Sequence, residues 1–217
     1  YNTVGYGNII DKEKDFWFGK TNLNDPDYTA SSIIVGETDI SIPLTPYLPS
    51  SLGQFDVTNG AAHAHTIEGF SAPSAGDMYN FTWINSINQY FIFSPGQKGY
   101  AFIVSDSTFL SNFSQNWSPG LYLDSSGDWK QGTEIYKKSD AVFKYFIDNG
   151  KSEDEAFELA QAFIAYQYQT GLCIAKMDSH GIFKPIFVKE IPDPLNPAKR
   201  IYIQTPICNL NTVMIIE

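Results

Sequence analysis

Residues 61–83, AAHAHTIEGFSAPSAGDMYNFTW, constrain the fold of this chain more than any other stretch. Ala61, Ala62 and Ala64 interleave with His63 and His65, a small-residue strand suited to close packing against a helix. A loop of small and turn-forming residues follows. Ser74 is then a good N-cap, and Asp77 three positions later answers the helix dipole. Met78, Phe81, Ile84 and Ile87 recur at helical spacing behind them. Residues 89–94 (QYFIFS) and 100–105 (YAFIVS) form a hairpin around Pro95-Gly96-Gln97-Lys98-Gly99. Strand, loop, helix and two strands predict an α/β (α+β) fold, a mixed sheet flanked by helices.

The same stretch carries the chemistry. Alternation puts the His63 and His65 rings on one side of a strand. A carboxylate on the first turn of the next helix can meet them, and three such ligands with an open fourth position describe a catalytic zinc site. Each half has a plainer reading. An HxH pair often arises by chance, and Ser74-x-x-Asp77 is sufficient as a helix cap. The joint pattern, H-x-H, eight residues, then S-x-x-D, is much rarer than either half.

This pattern resembles the signature of the JAMM (MPN+, JAB-domain) zinc metalloproteases. The matching residues are His63, His65, Ser74 and Asp77, with Pro73 before the serine. The spacer is one residue longer than the family's usual seven, and Thr66 stands where proline is common. The flanks SIPLTP and YFIFSPGQKGYAFIVSD are similar to JAB-like domains of secreted or polymorphic-toxin bacterial proteins. The resemblance covers residues 1–106 well and the remainder loosely. It implies a metal-site core over 1–106, with 107–217 as a helical and β elaboration packed on the same domain. It further implies Zn2+ held by His63, His65 and Asp77, and Ser74 hydrogen-bonding an oxyanion. The implied substrate is a protein or peptide, cut at a peptide or isopeptide bond. A secreted or cell-surface location, as part of a longer bacterial protein, would follow.

The family keeps a general-base glutamate well upstream, often before a Gly-Gly pair. Residues 1–7 (YNTVGYG) hold none; Glu37 and Glu68 are the other carboxylates considered. Three readings therefore stand: a zinc-dependent peptidase, an inactive JAMM-like binding or structural module without the base, and a β-rich binding protein whose histidines are incidental.

The rest of the chain sets bounds. With 217 residues and a 43% apolar fraction, one domain with a real core is expected. Aromatics at 15% and charged residues at 18% fit a folded, β-containing protein. A net charge of −10 argues against a nucleic-acid or anionic-membrane partner. No apolar run is long enough to span a bilayer. Oligomeric state is not specified by these features. Cys173 and Cys208 lack metal-ligand spacing and read as buried thiols, with a disulfide between C-terminal strands as the alternative.

Further strands are expected at 5–10, 16–20, 31–35, 38–42, 172–176, 182–189 and 200–205, with residues 11–15 as a charged turn. Residues 139–149 read as a helix ended by Gly150, and 152–169 as a second, opened by the Ser152-x-x-Glu155 capping box. Residues 109–117 are ambiguous. His180, in a turn-forming DSHG, is assigned no role.

Overall fold

The computed structural model describes residues 14–35, 55–66, 69–83, 89–96 and 98–205. The fold is mixed α/β. Among the described residues nine strands are paired: β1 (Lys14–Lys20), β2 (Thr29–Ala30), β3 (Ile34–Val35), β4 (Val57–Ala64), β5 (Gln89–Ser94), β6 (Lys98–Val104), β7 (Leu172–Met177), β8 (Phe183–Asp193) and β9 (Asn196–Thr205). Five helices accompany them in the described residues: α1 (Ala75–Trp83), α2 (Ser107–Asn116), α3 (Pro119–Tyr122), α4 (Glu134–Asp148) and α5 (Glu153–Gln167). The strand order is β2-β1-β4-β5-β6-β7-β8-β9, with β3 paired to β1.

All these pairings are antiparallel except β4 with β5. Parallel neighbours need a crossover, and α1 supplies it. The expected strand-loop-helix-hairpin order is thus present, with α1 ending its described span at Trp83. Pairing of β6 with β7 joins the segments before and after residue 106 in one sheet.

Cross-strand register sorts the buried face into rows. One row runs Trp17, Ala61, Tyr90, Phe102, Ile174, Ile186 across six strands. All six are buried. Met78, Tyr79 and Phe81 of α1 are buried in the same core, and the Phe81 ring stacks on Phe102 with centroids 5.8 Å apart. Each such side chain contributes roughly 1.5–3 kcal/mol by leaving water. The neighbouring row, Asp15, His63, Ile92, Tyr100, Lys176, carries polar groups on the same face.

Close packing of β4 depends on Gly60. A Cβ there would meet the Phe18 ring and come within 2.5 Å of the Gln89 carbonyl oxygen. Helix α5 begins as the sequence predicts, with the reciprocal Ser152–Glu155 capping box.

Several expectations need correction. Lys14 and Asp15 are not in a turn; they open β1, whose alternation buries Asp15, Trp17 and Gly19. The expected 31–35 strand is two short ladders, at Thr29–Ala30 and Ile34–Val35. The ambiguous 109–117 stretch lies mostly in α2, capped by the Asp106 carboxylate. Helix α4 starts at Glu134, capped by Thr133, earlier than the expected 139. The last two strands are longer than expected, and Pro197 falls inside β9, where an edge strand tolerates it. The strands expected at 5–10 and 38–42, Glu37, Glu68, Ile84, Ile87 and Cys208 lie outside the described residues. Cys173 is buried, and burial pushes its thiol up to about 12.

Candidate metal centre

The carboxyl end of β4 meets the N-terminus of α1. His63 is the penultimate residue of β4, and His65 follows directly, its N–H still donating to the Phe93 carbonyl at 2.9 Å. The rings lie on one side, with centroids 5.0 Å apart. Asp77 enters from the first turn of α1. One ligand atom from each of His63, His65 and Asp77 lies within 4.8 Å of the other two, and all three residues are buried.

Hydrogen bonds decide which ring nitrogens face the centre. His63 Nδ1 donates to Asp15 Oδ1 at 2.7 Å, and His65 Nδ1 donates to the Phe70 carbonyl at 3.0 Å. An acceptor at each Nδ1 places the proton there and leaves Nε2 with its lone pair. Both Nε2 atoms then point at Asp77, His63 Nε2 to Oδ1 at 3.8 Å and His65 Nε2 to Oδ2 at 3.2 Å. Two imidazole lone pairs facing a buried carboxylate require a cation between them, a proton or a metal ion. The donor set of two nitrogens and one carboxylate oxygen suits a divalent transition metal. A buried His-His-Asp group that could hold a metal ion is therefore present.

Burial would raise the Asp77 pKa; His65, then His63 and the Ser74 amide, outweigh it and hold the carboxyl far below the usual range. Asp77 is accordingly ionised, as a ligand must be. Ser74 supports it directly. Its N–H and Oγ both donate to Asp77 Oδ2, at 2.7 and 2.8 Å, and its Oγ accepts from the Asp77 N–H at 3.1 Å. The serine is thus the helix cap the sequence predicts, beside the ligand carboxylate.

Asp15 was not among the expected site residues. The charged run DKEKD disguised it as part of a turn. Alternation of Asp15, Trp17 and Gly19 on the inward side of a strand was the signal that could have placed it. It is fully buried and sits directly opposite His63 in the β1/β4 register.

The loop bearing Phe70 is also held. Ser71 N–H and Oγ donate to the Asp154 carboxylate at 3.1 and 3.2 Å, and Lys98 pairs with the same carboxylate. Ser94 Oγ donates to the Ser71 carbonyl at 2.7 Å. These bonds fix the Phe70 carbonyl against His65. His180 is exposed in the Asp178–Ile182 turn and is not part of the centre. A cavity of about 550 Å³ lined by Phe109, Trp117, Glu134 and Tyr168 has no ligand residue in its walls.

No helix among the described residues is long and apolar enough to cross a membrane. No family model, curated protein or solved structure matches the chain.

Proposed function

We propose that this chain is a zinc-dependent peptidase or isopeptidase of JAMM type. The observation that carries the reading is the convergence of His63 Nε2, His65 Nε2 and an Asp77 carboxylate oxygen while both Nδ1 atoms are held from behind. Zinc would supply Lewis acidity here, polarising a carbonyl and acidifying water.

The chain's own residues set the stage for that chemistry. Asp15 fixes the His63 tautomer and ring plane, a carboxylate–histidine arrangement that raises ligand basicity. The Phe70 carbonyl does the same for His65. Ser74 holds the Asp77 carboxylate through its N–H and hydroxyl, and on the peptidase reading that hydroxyl would turn from Asp77 to a developing oxyanion. Burial of the three ligands limits water around them and strengthens their electrostatics.

A second reading rests on one specific observation. Asp15, a further buried carboxylate at the centre, is engaged with a ligand ring, so it supports metal binding rather than proton transfer. On that reading the chain binds metal and a peptide without cutting it.

The experiment is hydrolysis of a denatured-protein and peptide mixture by protein purified without chelator. Cleavage that a chelator stops and added zinc restores supports the peptidase. Stoichiometric zinc with no cleavage supports the binding module, and protein that takes up no zinc overturns both.

A further inference from the structure

A pocket of about 280 Å³ adjoins the metal centre, walled by Phe70, Phe143, Phe157, Trp129 and Tyr136, with Asp128 and Asp140 among its lining residues. Two hydrogen bonds tie it to the ligand segments. Phe70, a 39% exposed residue, lends its carbonyl to His65, while its ring stacks on Phe157 at 4.2 Å and meets Phe143 edge-on at 6.3 Å. On the opposite side, the Gly127 carbonyl accepts the Gly76 N–H at 2.7 Å. Gly127 precedes the rim residue Asp128, and Gly76 precedes the ligand Asp77. Burial, then the Asp124 and Asp77 charges, raise the Asp128 pKa.

The pocket floor is rigid. Trp129 is buried and its indole N–H donates to Gln161 Oε1 at 3.1 Å. The lining contributes two carboxylates and no lysine or arginine. Lys144, outside the lining, reaches Asp140 at 2.7 Å and leaves Asp128 as the rim anion. Aromatic faces below and a carboxylate at the rim match a side chain with an apolar stem and a cationic head. The stem lies on rings, and the head gains cation–π and charge contacts.

On the peptidase reading above, we infer that this pocket is the specificity subsite of the metal centre and takes a free, unacylated lysine or arginine side chain beside the bond that is cut. Asp128 reads the charge, and Phe70, Phe143 and Phe157 read the stem. Phe70 joins the pocket to His65 within one residue, its ring lining the pocket and its carbonyl accepting from His65 Nδ1.

The probes are N-acetyl-arginine methylamide and N-acetyl-lysine methylamide, with the norleucine analogue as the uncharged control. Binding is read from the indole N–H resonances in NMR, on zinc-loaded and on chelator-treated protein. The basic probes are expected to bind saturably and at least about tenfold more tightly than norleucine. Asp128→Asn, a rim change that leaves the core intact, is expected to remove that preference without changing zinc content. Phe143→Ala is expected to weaken all three probes. Equal binding of basic and norleucine probes, or an Asp128→Asn variant that keeps the preference, overturns the inference. Basic-probe preference in protein that takes up no zinc upholds the pocket and overturns the metal reading alone; zinc uptake with no probe bound does the reverse.

Discussion

Two buried carboxylates stand on the same face of the sheet and are handled in opposite ways. Glu158 of α5 accepts from the Tyr100 hydroxyl at 2.8 Å and from Lys176 Nζ at 2.6 Å. Its cation comes from the chain, so the group is closed and its role is to tie α5 to β6 and β7. Burial, then the Glu158 charge, push the Tyr100 phenol well up, and it remains a donor at any ordinary pH. Asp77 instead faces two imidazole nitrogens whose other protons are already committed. Tyr100 and His63 even share one cross-strand row, through Ile92. A buried anion completed by a lysine is architecture; a buried anion facing two imidazoles is a group that could hold an external cation.

The largest expected effect separates these two sites. Asp77→Ala or His63→Ala abolishes zinc uptake, measured as metal per chain after dialysis, because three ligands are the fewest that hold a catalytic zinc. Glu158→Gln keeps full zinc uptake but lowers stability by about 1–3 kcal/mol, read by chemical denaturation. If Glu158→Gln empties the metal site, or Asp77→Ala does not, the contrast fails.

Asp15 sharpens the contrast at a smaller scale. Asp15→Ala should weaken zinc binding by roughly 10- to 100-fold in competition with a chelator, while the variant still binds one zinc at saturation. An unchanged affinity would reduce Asp15 to a packing residue.

The smallest effect concerns the loop clamp. Burial disfavours the Asp154 charge, but the Lys98 pair and the Ser71 bonds outweigh it and lower the pKa. A depressed folded-state pKa contributes stability above the unfolded value and loses it as pH falls through the folded one. Asp154→Asn should therefore cost about 0.5–1 kcal/mol near neutrality, as expected for a partly exposed pair. The gap from the parent should begin to close below about pH 4, where the unfolded carboxyl takes up its proton, and vanish once the folded carboxyl is protonated too. Denaturation midpoints of both proteins at two pH values check this, and a gap that widens in acid contradicts it.

Much of the centre was legible because it is local. His63 and His65 share a strand face by alternation, and Ser74 with Asp77 follows cap chemistry, so neighbouring residues announce them. The Ser152–Glu155 box marked α5 for the same reason. What was hidden depends on tertiary pairing. Asp15 reaches His63 only through the β1/β4 register, and a charged run gave no hint of burial. The Phe70 carbonyl is a backbone group, which no residue type betrays. Among the described side chains of α2, Phe113 alone is fully buried, so the helix lacks the apolar stripe that periodicity detects. The early start of α4 rests on the Thr133 cap, a single residue amid turn signals.

The decisive measurement for zinc held jointly by His63, His65 and Asp77 is X-ray absorption at the zinc edge of the loaded protein. The expected spectrum is a low-coordinate first shell of nitrogen and oxygen, with the outer-shell scattering of two imidazoles, and loss of that signal in His65→Ala. A shell with sulfur, or with oxygen alone and no imidazole scattering, would contradict it.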